Sequence, residues 1–173
     1  IIAMASYPTY DPNMWEKGVT VKQAEDLFSE ATGVPALSRP IQGRFAPAST
    51  FKVVSIIAAA NAGYDLTKSY ACPANVKVGT RVFNNFESKA QGTSSIKKLL
   101  AVSCDTVWYQ ISFDEWLRDG GLSPIKNPKD YFFKSAAGFQ VGEKTGIDLP
   151  SESAGRLPDR AWKESWHDAN KDF

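Results

Sequence analysis

The chain has 173 residues, enough for about one domain of the usual roughly 100–200 residues. Hydrophobic residues make up 43% and charged residues 23%, an ordinary composition for a globular domain and not that of a disordered or fibrous chain. Twenty basic residues against nineteen acidic ones leave a net charge of +1, which gives no case for nucleic acid or an anionic membrane as partner.

Residues 1–6 form an apolar run followed by breakers at Pro8 and Asp11-Pro12-Asn13, and the pattern predicts a buried strand. Both chain ends read as cut. The sequence opens inside that apolar run without a start methionine and stops at Asn170-Lys-Asp-Phe173 with no ending signal. Val21 to Ala31 predicts a short helix, and Pro35, Pro40, Gly43 and Pro47 then break the chain. From about Ser49 a helix is predicted that is apolar nearly all round, so central and buried, with Gly63 as its C-cap.

Val76 to Phe83 alternates around Gly79-Thr80 and predicts a hairpin. Ser94 or Ser95 can cap a helix reaching Val102, with Ile96, Leu99 and Leu100 on its apolar face. A third helix is predicted from about Asp105 to Arg118, ended by Gly120-Gly121. Pro124 to Asp130 reads as a solvated loop, Ala136 to Phe139 as helix, and the text beyond Gly142 as loop. No internal repeat, low-complexity tract, domain linker or run of 18 apolar residues is present, and the whole predicts an α+β or α/β fold.

Two cysteines, Cys72 and Cys104, make no disulfide framework. One bridge is permitted outside the cytoplasm, but the sequence alone leaves it open. The single histidine, His167, excludes a zinc site built on His pairs, and cysteines at 72 and 104 exclude one built on CxxC pairs. With no Gly-x-Ser-x-Gly elbow to serve, it reads as an exposed residue and not as part of a Ser-His-Asp triad.

The segment Ala46-Pro-Ala-Ser-Thr-Phe-Lys52 places Ser-x-x-Lys at the opening of the buried helix. Residues three apart share a helical face, about 5–6 Å between Cβ atoms, so Lys52 can reach the Ser49 oxygen. The first helical turn also presents unpaired N–H groups and a partial positive charge, which favour a developing alkoxide. A serine needs a base to become a nucleophile, and a lysine serves only where burial or nearby positive charge favours the neutral amine. Phe51, Val53 and Val54 make such burial credible. On spacing alone, Ser49 as a plain N-cap and Lys52 as a solvated first-turn residue remains an alternative reading.

Arg44-Phe-Ala-Pro-Ala-Ser-Thr-Phe-Lys-Val-Val54 resembles the nucleophile segment of penicillin-binding proteins and serine β-lactamases, where Gly or Ala usually precedes the serine. Ala101-Val-Ser-Cys-Asp-Thr-Val-Trp-Tyr-Gln110 resembles the family's second motif, Ser-x-Asn. Ile2 to Asn13 resembles the first strand of the transpeptidase domain and its Asp-Pro-Asn turn. Gly142-Glu-Lys-Thr-Gly-Ile-Asp-Leu-Pro150, continued by Arg156-Leu-Pro-Asp-Arg-Ala-Trp162, resembles a segment of the class B, monofunctional enzymes. The resemblance runs along nearly the whole chain in order, and it is strongest to the elongation type, penicillin-binding protein 2. It implies the α+β fold of the serine β-lactamase and penicillin-binding transpeptidase group, a helical subdomain plus sheet, incomplete in this chain. Residues 1–173 would then be one partial transpeptidase domain.

Two departures stand out. The second motif has Asp105 where most of the family has Asn, which elongation-type members tolerate. A carboxylate beside a lysine favours the ammonium and weakens it as a base. Either Asp105 is aimed at the substrate, or the neutral lysine is made another way. Lys144-Thr145-Gly146 matches the family's third motif by letter but sits in the loop signature, so the true Lys-Thr-Gly strand is expected downstream of Phe173.

The resemblance implies a peptidoglycan D,D-transpeptidase. Ser49, Lys52 and Ser103 would be catalytic, as nucleophile, base and proton relay, and Asp105 would hold the substrate amide. No metal or organic cofactor is required. The implied partners are peptidoglycan stem peptides, β-lactams and a membrane glycan polymerase. The implied site is the extracytoplasmic face of a bacterial plasma membrane, with an anchoring helix outside these residues. This fragment alone is expected to be inactive. Two other classes stay open: a serine β-lactamase or D,D-carboxypeptidase, and a non-catalytic penicillin-binding-like module.

Overall fold

In the computed structural model residues 1–170 are described, so the reading of an ending at 171–173 lies outside the described residues. The chain divides into two compact units, one of residues 1–46 with 142–155, the other of residues 47–141 with the segment from Arg156 onward.

The first unit is mostly irregular. Helix α1 (Val21–Phe28) opens with a reciprocal capping box. The Gln23 N–H donates to Thr20 Oγ1 at 3.3 Å, and the Thr20 N–H donates to Gln23 Oε1 at 3.0 Å. Its Leu27 is buried. The short α2 (Arg39–Gln42) carries Pro40 in its first turn and buries Ile41. The returning segment is tied to it, because the Ser153 N–H donates to the Ile41 carbonyl and Arg44 Nε donates to Ser153 Oγ at 2.7 Å.

The strand expected over residues 1–6 is absent, and Ile1 and Ile2 are fully exposed. An apolar run becomes a strand only where a neighbour accepts and donates its ladder bonds. Every strand pair among the described residues lies in the second unit. What anchors this segment is Ser6, whose hydroxyl donates to the Leu37 carbonyl and accepts from the Arg39 N–H.

The second unit holds α3 (Lys52–Asn61), β1 (Ser69–Cys72), β2 (Asn75–Val78), β3 (Arg81–Asn84), β4 (Gly92–Ser95), α4 (Ile96–Ala101), α5 (Thr106–Arg118), α6 (Tyr131–Gly138) and α7 (Arg160–Ala169). Its strands pair antiparallel as two ribbons. In one, β1 pairs with β4, Cys72 facing Gly92; in the other, β2 pairs with β3, Val78 facing Arg81 across Gly79-Thr80. Ala59, Cys72, Ile96, Leu99, Cys104, Val107, Trp108 and Ile111 form the core. Helix α3 packs on α6 and α5, and its fully buried Ala58 and Ala59, with Ala136 of α6, suit close approach.

A 3₁₀ turn over Ala48–Phe51 precedes α3, so the expected helix begins as a tighter coil. Its burial is also one-sided, because Val53 and Ile57 are exposed. Gly63, at φ +86°, ends the helix in a Schellman arrangement, with the Tyr64 N–H on the Ala59 carbonyl and the Gly63 N–H on Ala60.

Cys72 and Cys104 are joined by a disulfide with Cα atoms 6.2 Å apart. Closing a loop across 32 residues stabilises by roughly 3.7 kcal/mol on the chain-entropy relation. Helix α6 starts at Tyr131, earlier than the sequence predicts. The buried Asp119 carboxylate accepts from the Lys129 and Asp130 N–H groups at 2.7 Å each and fixes the chain just ahead of the aromatic run. Helix α7, not anticipated, is capped by Asp159, which accepts from the Trp162 N–H at 2.7 Å.

Candidate active site

The second unit brings Ser49, Lys52, Ser103 and Asp105 together. Ser49 stands exposed in the 3₁₀ turn, and Lys52 follows at the first position of α3 with only 7% of its surface accessible. Lys52 Nζ lies 3.3 Å from Ser49 Oγ, 2.9 Å from Ser103 Oγ, 2.7 Å from the Ser103 carbonyl and 2.5 Å from Asp105 Oδ1. Ser103 Oγ donates to Ser49 Oγ at 3.0 Å, closing a triangle of two hydroxyls and one amine. Of the two valines that follow Lys52, Val53 is exposed and Val54 is buried. Trp108 and Phe132 line the cavity of about 450 Å³ into which this group opens.

Each half of the site is presented by a left-handed residue. Ala48 has φ +46°, which turns the chain sharply before Ser49 and disfavours bulky side chains there. Ser103 has φ +54° and occupies the cap position after α4 that glycine usually takes. Its N–H donates to Leu100, and the Cys104 N–H donates to Leu99, completing a Schellman end. Strained backbone of this kind costs on the order of 1–3 kcal/mol and clusters at functional sites. Asp105 then begins α5, its carbonyl accepting from the Trp108 and Tyr109 N–H groups. Tyr109 shares the cavity, and burial, then the charge of Asp105, push its phenol up, so it stays protonated at neutral pH.

The Asp105 carboxylate is engaged by Lys52. The contact is largely shielded from water, with 9% and 25% of the two side chains accessible. Lys144-Thr145-Gly146 lies in an irregular loop of the first unit, where Thr145 donates from both N–H and hydroxyl to Glu152 Oε1. It forms no strand, in keeping with its reading as a loop signature. His167 is exposed. A larger hollow of about 540 Å³ in the first unit includes Tyr10, Lys17, Asp26 and Thr32 in its lining, but neither serine–lysine pair nor cysteine. Among the described residues no His/Cys/Asp/Glu group could hold a metal ion.

Sequence reasoning missed Asn85, whose side-chain oxygen accepts from the Asp105 N–H at 2.9 Å, and the cavity wall of Trp108 and Tyr109. The two aromatics carry a signal, because they fall three and four residues after Asp105 on the same helix. Asn85 carries none, since Asn84-Asn85 reads as an ordinary polar turn.

A serine at a helix start, a lysine three residues on, and a second serine within reach of both are the arrangement of an active-serine acyl transferase. The model of the penicillin-binding protein transpeptidase domain matches residues 1–171, and the chain belongs to that family. It is similar to the peptidoglycan D,D-transpeptidase MrdA of Salmonella typhimurium, 31% identical over 170 residues, covering 96% of this chain. The chain spans about a quarter of that relative's length, 25%. Among solved structures, a chain of a peptidoglycan synthase complex matches at 30% identity with a TM-score of 0.72, over 94% of this chain and 26% of that one. Penicillin-binding protein 2 of Pseudomonas aeruginosa, in complex with WCK 5153, shares the fold at 24% identity and a TM-score of 0.72, over 95% of this chain and 35% of that one. The α+β fold with small sheets is that of these neighbours, and the chain corresponds to part of it.

Proposed function

We propose that this chain carries the nucleophile and base of a peptidoglycan D,D-transpeptidase, as part of the catalytic domain. The observation that carries the reading is the triangle of Ser49 Oγ, Lys52 Nζ and Ser103 Oγ, with sides of 3.3, 2.9 and 3.0 Å.

In the proposed reaction the Ser49 hydroxyl proton passes to Lys52 Nζ, and the oxygen attacks the carbonyl between two D-alanines of a stem peptide. The carbonyl of Ser103 and the carboxylate of Asp105 can only accept hydrogen bonds. A neutral amine satisfies both with its two N–H donors and keeps its lone pair for a hydroxyl. The same contacts then stabilise the ammonium formed by proton transfer, so Asp105 serves the protonated half of the cycle. The Ser49 N–H, in the first helical turn where donors lack intrahelical acceptors, offers half of an oxyanion hole. As the C–N bond breaks, Ser103 passes a proton from Lys52 to the leaving D-alanine amine. An amine of a second stem peptide attacks the acyl-serine, Ser49 regains its proton, and a cross-link results. β-Lactams acylate the same oxygen. In the same reading Asp105, which lines the cavity beside Ser49, also accepts from the substrate amide.

By the same reading the protein works beside a membrane glycan polymerase at the outer face of the bacterial plasma membrane. Its similarity to a chain of a peptidoglycan synthase complex supports this, as does a disulfide suited to an oxidising compartment. No helix among the described residues is long and apolar enough to cross a membrane.

The test is covalent labelling by a fluorescent penicillin of the protein as its gene encodes it. Ser49→Ala should abolish the label, and persistent labelling refutes the assignment. Rapid turnover of a chromogenic cephalosporin would place the protein with the β-lactamases instead.

A further inference from the structure

Three consecutive N–H groups fix the backbone of the Ser103-Cys104-Asp105 segment. The first two donate to carbonyls at the end of α4, Ser103 to Leu100 and Cys104 to Leu99. The third has no such carbonyl. The Asp105 N–H donates instead to a side chain twenty residues upstream, Asn85 Oδ1, at 2.9 Å.

Asn85 follows β3 and is 4% exposed. Every polar group of its side chain and its own N–H is engaged. Nδ2 donates to the Lys89 carbonyl at 2.6 Å and lies 3.5 Å from Cys72 Sγ, and the Asn85 N–H donates to the Ala74 carbonyl at 2.8 Å. Both flanks of this amide are therefore anchored to the loop and strands around Cys72, the residue bridged to Cys104. A buried amide with both ends committed has one orientation, and that orientation aims an acceptor at Asp105.

We infer that Asn85 is a positioning residue for the acyl-transfer site: by receiving the Asp105 N–H it sets where the Asp105 carboxylate meets Lys52, and so where Lys52 Nζ stands relative to Ser49 and Ser103. This rests on the transpeptidase reading for its catalytic consequence and on geometry alone for the clamp. Asn85 touches neither the nucleophile nor the cavity. It acts through Asp105, which bonds Lys52 at 2.5 Å. A displacement of about an ångström at reacting groups costs on the order of a hundredfold in rate, so loss of this one contact should be visible in acylation.

The test compares the unsubstituted protein, as its gene encodes it, with Asn85→Asp, Asn85→Ser and Asn85→Leu. Thr106→Val serves as a structural control, because it removes a buried hydroxyl bonded to the Pro73 carbonyl beside the same disulfide. Three quantities are read: the acylation rate by a fluorescent penicillin per folded molecule, the melting temperature, and hydrogen exchange of the Asp105 amide. Asn85→Leu and Asn85→Ser should slow acylation about ten- to a hundredfold and strip the Asp105 amide of protection. Asn85→Asp keeps an oxygen facing that amide but loses the donation to the Lys89 carbonyl, so it should melt lower than wild type while retaining more acylation and more Asp105 protection than Asn85→Ser. Thr106→Val should lower melting with little change in acylation.

Wild-type acylation in folded Asn85→Ser or Asn85→Leu overturns the inference. So does a Thr106→Val protein that loses as much acylation at equal loss of melting temperature. If Asn85→Leu does not fold, the Asp and Ser variants decide, and equal rates in those two refute the clamp. A wild-type protein that takes no label, yet loses Asp105 protection in Asn85→Ser, sinks the transpeptidase reading while the clamp stands.

Discussion

Removing the Cys72–Cys104 bridge tests how the second half of the site is held. Both residues are fully buried, and they lie 32 positions apart in the sequence. The chain-entropy relation gives about −12 cal/mol/K for that loop, or roughly 3.7 kcal/mol at 25 °C. For a chain of this length each kcal/mol moves the melting temperature by about 2–4 °C, so the expected fall is about 7–15 °C. The experiment is calorimetric or circular-dichroism melting of the oxidised protein, the protein held reduced in excess dithiol, and the Cys72→Ala/Cys104→Ala protein, with mass spectrometry counting free thiols. The reduced and double-substituted proteins should melt together, well below the oxidised one. Two free thiols in the oxidised preparation, or a melting temperature indifferent to reduction, would refute the reasoning.

Lys52→Ala should slow acylation severely while Ser49 stays in place, measured by single-turnover labelling, and a near-normal rate would remove Lys52 from the base role. Asp105→Asn keeps an oxygen within reach of Lys52 and should be tolerated better than Asp105→Ala; equal loss in both would contradict a role by contact. Burial holds the Glu115 carboxyl above its ordinary value, with the charge of Arg118 only partly offsetting it. A group that binds its proton more tightly when folded stabilises at low pH and loses that contribution as pH rises through its elevated folded value. Glu115→Gln should therefore raise the melting temperature relative to wild type above that range and change it least below. The reverse order in a pH series of melting curves would contradict the assignment.

Ser49 and Lys52 are legible as a pair because both lie within one local turn, where spacing in sequence fixes spacing in space. Ser103 and Asp105 are not local to them. They lie 54 and 53 residues from Ser49 and Lys52 respectively, and only the resemblance of the surrounding segment ties them together. The hairpin and the Gly63 cap were legible for the same local reason, turn chemistry written into adjacent residues. The strand expected over residues 1–6 failed because a strand is a property of a pair, and apolarity says nothing about the partner. The early start of α6 was hidden because Asp119, far back in the sequence, supplies the bonds that set it. The clamp on Asp105 is hidden more deeply still, since asparagine in a polar turn is what any loop contains.

The two left-handed residues of the site face opposite constraints on evolutionary drift. At position 48 conformation and chemistry agree. Glycine would relax the turn without touching the reaction, and a β-branched residue would load it with steric cost. At position 103 they conflict, because glycine would relieve the backbone and delete the oxygen that sits 3.0 Å from Ser49 and 2.9 Å from Lys52. At the first position alanine and glycine both meet the two demands. At the second, on the proposed mechanism, one serine carries both the backbone strain and the proton relay.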